Sequence, residues 1–247
     1  LTDRIRTPRI IAQKMLEYGY SNYLMTIGEN LGNKHNESVR TLTLQEAATT
    51  DFQPLNCIIL TRQQERPKPF GIPDNLFDHL SGRENMITKM PIRLLVLSML
   101  EIHNSKSLWD IGFCTGSVSI EAKLQAPHLT INSFEIRNES ESLFKSNTRR
   151  FGTPGIDCHI GDFLNTDISA IPAPDTVFIG GHGGKLHEII TKIKQVLQPG
   201  GIIVFNSVST DSLELFEKSI QMHGMKITRR HTMLLDKHNP ITVMQAK

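Results

Sequence analysis

Long apolar runs are missing from this sequence of 247 residues. The longest, Leu94 to Leu100 and Ile202 to Phe205, fall far below the roughly 20 residues that cross a bilayer. No charged-then-apolar segment opens the chain. Cysteine is scarce and odd in number: Cys57, Cys114 and Cys158 stand far apart, with no C-x-x-C. That excludes a disulfide framework and a cysteine-rich zinc site, and it fits a reducing, cytoplasmic compartment. An excess of one charge is lacking too. The formal net charge is +2 and no five like charges run together, so neither nucleic acid nor a membrane is expected as partner. There is no internal repeat and no low-complexity tract. The first residue is Leu1 rather than Met, which reads as an excised or processed chain.

What is present is ordinary globular material. With 38% hydrophobic and 21% charged residues, the chain can fill one full core and part of a second. Gln63 to Pro73 carries three prolines between two apolar blocks and reads as a linker, since proline removes donors and extends its predecessor. Residues 1–62 then form one block and 74–247 another. In the first block, Thr7 as N-cap, Pro8 at N1 and Gly19 as stop bracket a helix. Tyr23 to Ile27 and Asn56 to Leu60 read as strands and Leu44 to Ala48 as a helix. A block of about 60 residues is near the lower limit for an independent core, so it reads as half of something larger.

The second block alternates. Strands are expected at Ser107 to Ile111, Thr130 to Glu135, Ile156 to Ile160, Thr176 to Ile179 and Ile202 to Asn206. Helices are expected at Pro91 to His103, Ser117 to Leu124, Asn138 to Arg150, Lys185 to Leu197 and Asp211 to His223. Lys226 to Thr232 and Ile241 to Met244 follow with no helix between them, so they pair antiparallel at an edge. The pattern predicts an α/β, doubly wound, Rossmann-like sheet of seven strands.

The strongest local signal is Trp109 to Ser117, a strand running through glycines into a helix. A dinucleotide turn, G-x-G-x-x-G, needs glycine at 112, 114 and 117; only Gly112 qualifies. A methyltransferase turn, G-x-G-x-G, finds Gly112 and Gly116, with Cys114 between them. That reading, with Thr115 and Ser117 at the helix start, makes S-adenosyl-L-methionine the expected cofactor. Glu135 ends the next strand, where a carboxylate can take both hydroxyls of a ribose; a solvated acid is the plain alternative. Gly161-Asp162 ends the strand after it, where an acid can accept from an adenine amine or simply cap a turn. Thr88 precedes the first helix beside the same site. The fourth strand runs into Gly180, Gly181, His182, Gly183 and Gly184, a loop that permits close backbone approach to a ligand. It lacks the Asn or Asp and paired prolines that grip a planar amine.

On these residues the chain resembles a known family. ITKMPIR (Ile87 to Arg93), WDIGFCTGSVSIEA (Trp109 to Ala122), FIGGHGG (Phe178 to Gly184), VFNSVS (Val204 to Ser209) and FGIPDNLF (Phe70 to Phe77) are similar to the decarboxylating methyltransferases of cobalamin biosynthesis. LTDRIRTPRIIA (Leu1 to Ala12), IGENLG (Ile27 to Gly32) and PLNCIIL (Pro54 to Leu60) resemble the C-terminal lobe of a tetrapyrrole methylase. Together they look like the bifunctional precorrin-6Y C5,15-methyltransferases (decarboxylating), cut inside their first domain. The resemblance implies methylation of a precorrin at C15, loss of CO2 from the ring C acetate, and a homo-oligomer, a tetramer of the second domain. It also implies that a fragment of this extent lacks the C5 activity. Two departures stand out. Cys114 replaces a glycine more usual in the family, and Met90-Pro91 replaces a pair that often carries an acid, so no acidic role transfers to position 91.

Methyl transfer from a sulfonium needs proximity and alignment more than a base. His182 is the candidate for proton handling, with a solvent-exposed loop histidine as the alternative. Lys89, Arg93 and Lys185 are candidates to meet substrate carboxylates, or else form a solvated surface. His182 and His187 have no further ligands at metal spacing, so no metal is expected. A methyltransferase of the same fold acting on RNA or another small molecule, and a non-catalytic cofactor-binding fragment, are the competing readings.

Overall fold

The structure is a computed structural model that describes residues 2–65, 67–235 and 239–247. By its contacts the chain divides into two compact units, one through Lys68 joined by Thr148–Pro154, the other Pro69–Asn147 with Gly155–Lys247.

In the first unit Thr7 accepts the Ile10 amide at 3.3 Å, and Pro8 starts helix α1 (Pro8–Glu17) where a missing N–H costs nothing. Strands β1 (Tyr23–Glu29), β2 (Ser38–Thr43) and β3 (Asn56–Arg62) form an antiparallel sheet in the order β2-β1-β3. Strand β2 is absent from the sequence reading. Its SVRTLT pattern puts mostly polar, exposed residues on an edge, so no apolar face marks it. Helix α2 (Leu44–Ala47) opens with a capping box between Thr43 and Glu46. Ala12, Met25, Ile27, Leu44 and Ala47 close the small core.

The second unit begins before the end of the expected linker: Ile72 is fully buried, and its amide donates to Glu121. Its helices are α3 (Met90–Met99), α4 (Ser117–Gln125), α5 (Glu139–Phe151, whose last turn groups with the first unit), α6 (Leu186–Lys194) and α7 (Thr210–Met222). Its strands are β4 (Ser107–Ile111), β5 (Thr130–Glu135), β6 (Ile156–Ile160), β7 (Thr176–Ile179), β8 (Ile202–Ser207), β9 (Ile227–Met233) and β10 (Ile241–Ala246). Helix α3 stops short of His103 because Glu101 turns into the left-handed region at φ +51°.

The seven strands order β6-β5-β4-β7-β8-β10-β9. β4 is parallel to both β5 and β7, while β10 runs antiparallel between β8 and β9. Alternation along each strand feeds two cores. Trp109, Ile111, Val177, Ile179 and Phe205 pack with α6 and α7; Leu108, Phe178 and Val204 pack with α3 and α4. The fold is therefore a doubly wound Rossmann-like sheet covered on both faces. The order reverses between β4 and β7, and such a reversal opens a crevice at the carboxyl ends of the two strands.

Candidate active site

That crevice holds a cavity of about 580 Å³, within the range of small-molecule sites. Its floor is a contact between two loops. Gly112 lies at φ +77°, and a Cβ there would meet the Gly181 amide nitrogen at 2.6 Å. The Gly180 amide in turn donates to the Ile111 carbonyl at 2.8 Å. Glycine at 112 is what lets β4 release its chain beside that of β7.

Cys114 is held at φ +51°, a conformation that is costly for any residue with a Cβ. Two bonds hold it there: its amide donates to Glu135 Oε2 at 3.0 Å, and its thiol to the Met86 carbonyl at 3.0 Å. Burial, and then the Glu135 charge, push this thiol up to about 11. Glu135 is nearly fully buried. Its Oε1 accepts the Arg137 amide at 3.1 Å and Arg137 Nη1 at 2.9 Å. A carboxylate offers about four acceptor positions, so three are filled by the protein.

Gly161 and Asp162 line the same cavity. Asp162 accepts the Leu164 amide at 3.0 Å and Lys185 Nζ at 2.9 Å. The Lys185 ammonium, followed by the backbone bond, holds its carboxyl below the usual range, and Asp162 raises Lys185 in return. Asp162 therefore caps a turn and is paired, and Lys185 enters the site as half of an exposed ion pair rather than as a free cation. Thr88 and Lys89 line the cavity.

His182 also faces the cavity, and its bonds fix its state. Nδ1 accepts the Gly184 amide at 3.2 Å, so the neutral ring carries its proton on Nε2. That nitrogen then donates to Ser212 Oγ at 3.3 Å. Burial lowers its pKa, and the ring meets Phe205 edge-on at 5.9 Å. His187 turns elsewhere, bonding Ser219 and stacking on His223. The two histidines do not converge. Among the described residues no group of three or more His, Cys, Asp or Glu could hold a metal ion.

Four sequence-derived candidates lie outside the cavity wall. Thr115 and Ser117 are almost fully buried, and Gly116 stands against the Phe144 ring, which a Cβ would strike. The turn is made at Gly112–Cys114, and the next residues dive beneath it. Arg93 is the clearest correction. It is fully buried, with Nε on Glu121 Oε2 at 2.5 Å and Nη1 on Asp74 at 3.1 Å. A guanidinium so enclosed does not reach a substrate carboxylate. Conversely, Arg137, Asn206, Val208 and Ile241 line the cavity and Ser212 bonds His182, yet the sequence singles out none of them as a site residue. Arg137, two residues after Glu135, is the one that spacing could have flagged.

Comparison with known proteins shows the family. The family described as precorrin methyltransferase domain matches residues 79–246. A precorrin-6Y C(5,15)-methyltransferase (decarboxylating) from Sinorhizobium sp. is 32% identical over 209 residues, covering 83% of this chain and 49% of that protein. The chain thus spans about half the length of that relative. A cobalt-precorrin-6B C(15)-methyltransferase (decarboxylating) from Salmonella typhimurium is 37% identical over 140 residues, 57% of this chain and 70% of the relative. The crystal structure of a precorrin-6y C5,15-methyltransferase from Geobacter metallireducens superposes with TM-score 0.66 at 29% identity, covering 74% of this chain and 99% of that one. With the family match running through nearly all of the second unit, the chain belongs to the precorrin methyltransferase domain family.

Proposed function

We propose that the second unit binds S-adenosyl-L-methionine and methylates C15 of a precorrin, with loss of CO2 from the ring C acetate. The observation that carries this reading is the crevice at the strand-order reversal, where the Gly112–Gly181 contact, Glu135 and Asp162 border one cavity. Both relatives described above carry such reactions in their names.

In this reading Glu135 Oε2 keeps one acceptor position for a ribose hydroxyl, and a second opens on Oε1 when Arg137 Nη1 swings out. Gly112, Gly180 and Gly181 let the backbone lie against the cofactor, and Asp162 and Thr88 border it. The cofactor supplies an electrophilic methyl group. Lys89, which lines the cavity, offers a cation to the carboxylates of the substrate. His182, neutral and proton-bearing on Nε2, orients rather than abstracts. A methyl group transferred as a cation equivalent would add one positive charge to the ring, and a carboxylate lost as CO2 would leave its bonding pair there to cancel it. Charge balances without an external base.

We also infer that the first unit corresponds to the C-terminal lobe of a tetrapyrrole methylase and that the protein is a homo-oligomer; light scattering reads the latter. The central test incubates the chain with a C5-methylated precorrin and S-adenosyl-L-methionine. Mass spectrometry should show a gain of one methyl and a loss of one CO2. No mass change in cofactor-bound protein overturns the substrate assignment.

A further inference from the structure

We infer that Arg93 is a positioning residue that straps the segment Gly71–Lys89 over the cofactor cavity, an inference that rests on the cofactor reading above. The segment holds almost no regular structure beyond one turn at Asp74–Leu76. Its last residues, Asn85 to Lys89, nevertheless form a wall of the cavity. Something other than secondary structure must fix that wall.

The buried guanidinium of Arg93 does so. It sits on α3, one turn after Lys89, and reaches back to both ends of the segment. Nη1 donates to the Thr88 carbonyl at 2.7 Å, and Nη2 donates to the Ile72 carbonyl. Nη1 also meets Asp74, and the Phe77 ring lies 5.0 Å from the guanidinium carbon. Glu121 neutralises the cation, and its other oxygen accepts the amides of Gly71 and Ile72. Glu121 belongs to α4, the helix that follows the glycine turn. One buried pair therefore ties the start of the segment, its end and the glycine-turn helix together.

Two further anchors join the segment to the turn itself. Asn147 accepts the Asp78 amide at 2.8 Å and donates to the Thr115 carbonyl at 3.0 Å. The Cys114 thiol donates to the Met86 carbonyl. The geometry converges on the loop that approaches the cofactor. A planar fork with several fixed donors can do this; an ammonium cannot.

The test compares wild type with Arg93→Lys, which keeps the charge beside Glu121 and loses the fork. S-adenosylhomocysteine is titrated by calorimetry and trypsin cleavage after the exposed Arg83 is timed. Arg93→Lys should raise the dissociation constant about tenfold, the scale of one or two charge-assisted hydrogen bonds lost. It should raise KM for the cofactor while leaving kcat unchanged, and it should speed cleavage at Arg83. In wild type the ligand should slow that cleavage. Should Arg93→Lys not fold, the double variant Arg93→Met with Glu121→Leu removes both buried charges and should show the same weakened binding. Wild-type affinity in either folded variant, or ligand that leaves cleavage at Arg83 unchanged, overturns the inference. Wild type that binds no S-adenosylhomocysteine overturns the cofactor reading instead.

Discussion

The Cα of Gly112 and the backbone of Gly181 face each other so closely that a Cβ is excluded from one side only. On Gly112 it would lie 2.6 Å from the Gly181 nitrogen; on Gly181 its nearest neighbour would be the Gly112 Cα at 3.8 Å. Gly112 also carries a positive φ. Gly112→Ala should thus cost on the order of 1–3 kcal/mol and abolish cofactor binding, while Gly181→Ala should keep the wild-type melting temperature. Thermal melts of both variants check the asymmetry. Equal destabilisation would show that the contact does not set the crevice.

Glu135 should matter to binding more than to folding rate or assembly. Glu135→Ala removes a charged acceptor whose hydrogen bonds are worth roughly 1.5–3 kcal/mol each, so affinity for S-adenosylhomocysteine should fall at least tenfold. It also strands the Cys114 amide, so a melting curve must accompany the calorimetry. Unchanged affinity in a folded variant removes Glu135 from the ribose site.

Much of this was legible because the second unit obeys simple periods. Trp109 and Ile111 against Leu108 alternate between two cores, and Gly112, Glu135, Gly161 and Gly180 all fall at strand ends. What stayed hidden depends on depth. Arg93 reads as an available cation, since a sequence does not reveal that Glu121, 28 residues on, waits beside it in the interior. Thr115 and Ser117 look like cofactor contacts until the turn at Cys114 buries them. Strand β2 escaped because its partner, not its own pattern, makes it a strand.

Asp110 should give the fold a pH dependence. It is fully buried on β4, accepts the Ser119 hydroxyl at 2.6 Å, and its other oxygen has no partner among the described residues. Burial raises its carboxyl from 3.8 to about 7. Between those values the unfolded chain releases a proton that the folded chain retains, so rising pH favours unfolding. This contribution is full below 3.8 and is lost as pH climbs through about 7. Asp110→Asn should flatten the slope, as denaturant melts at pH 4 to 8 would read. A slope that persists in the variant assigns it to another group.

His182 yields the prediction that separates positioning from base catalysis. Its Nδ1 is occupied by the Gly184 amide and its Nε2 proton by Ser212, so protonation must break the first of these bonds. Burial lowers its pKa below 6.5, and the neutral ring therefore persists to mildly acidic pH. Activity should stay level above pH 6.5 and fall only as pH drops through the lowered value. Glutamine can accept from Gly184 and donate to Ser212 without titrating. His182→Gln should keep most of the rate and lose the acid limb, whereas His182→Ala should lose rate at every pH. The measurement is the pH profile of methyl transfer in all three proteins. A His182→Gln variant as inactive as His182→Ala would make the imidazole a base after all, and the two bonds that hold it incidental.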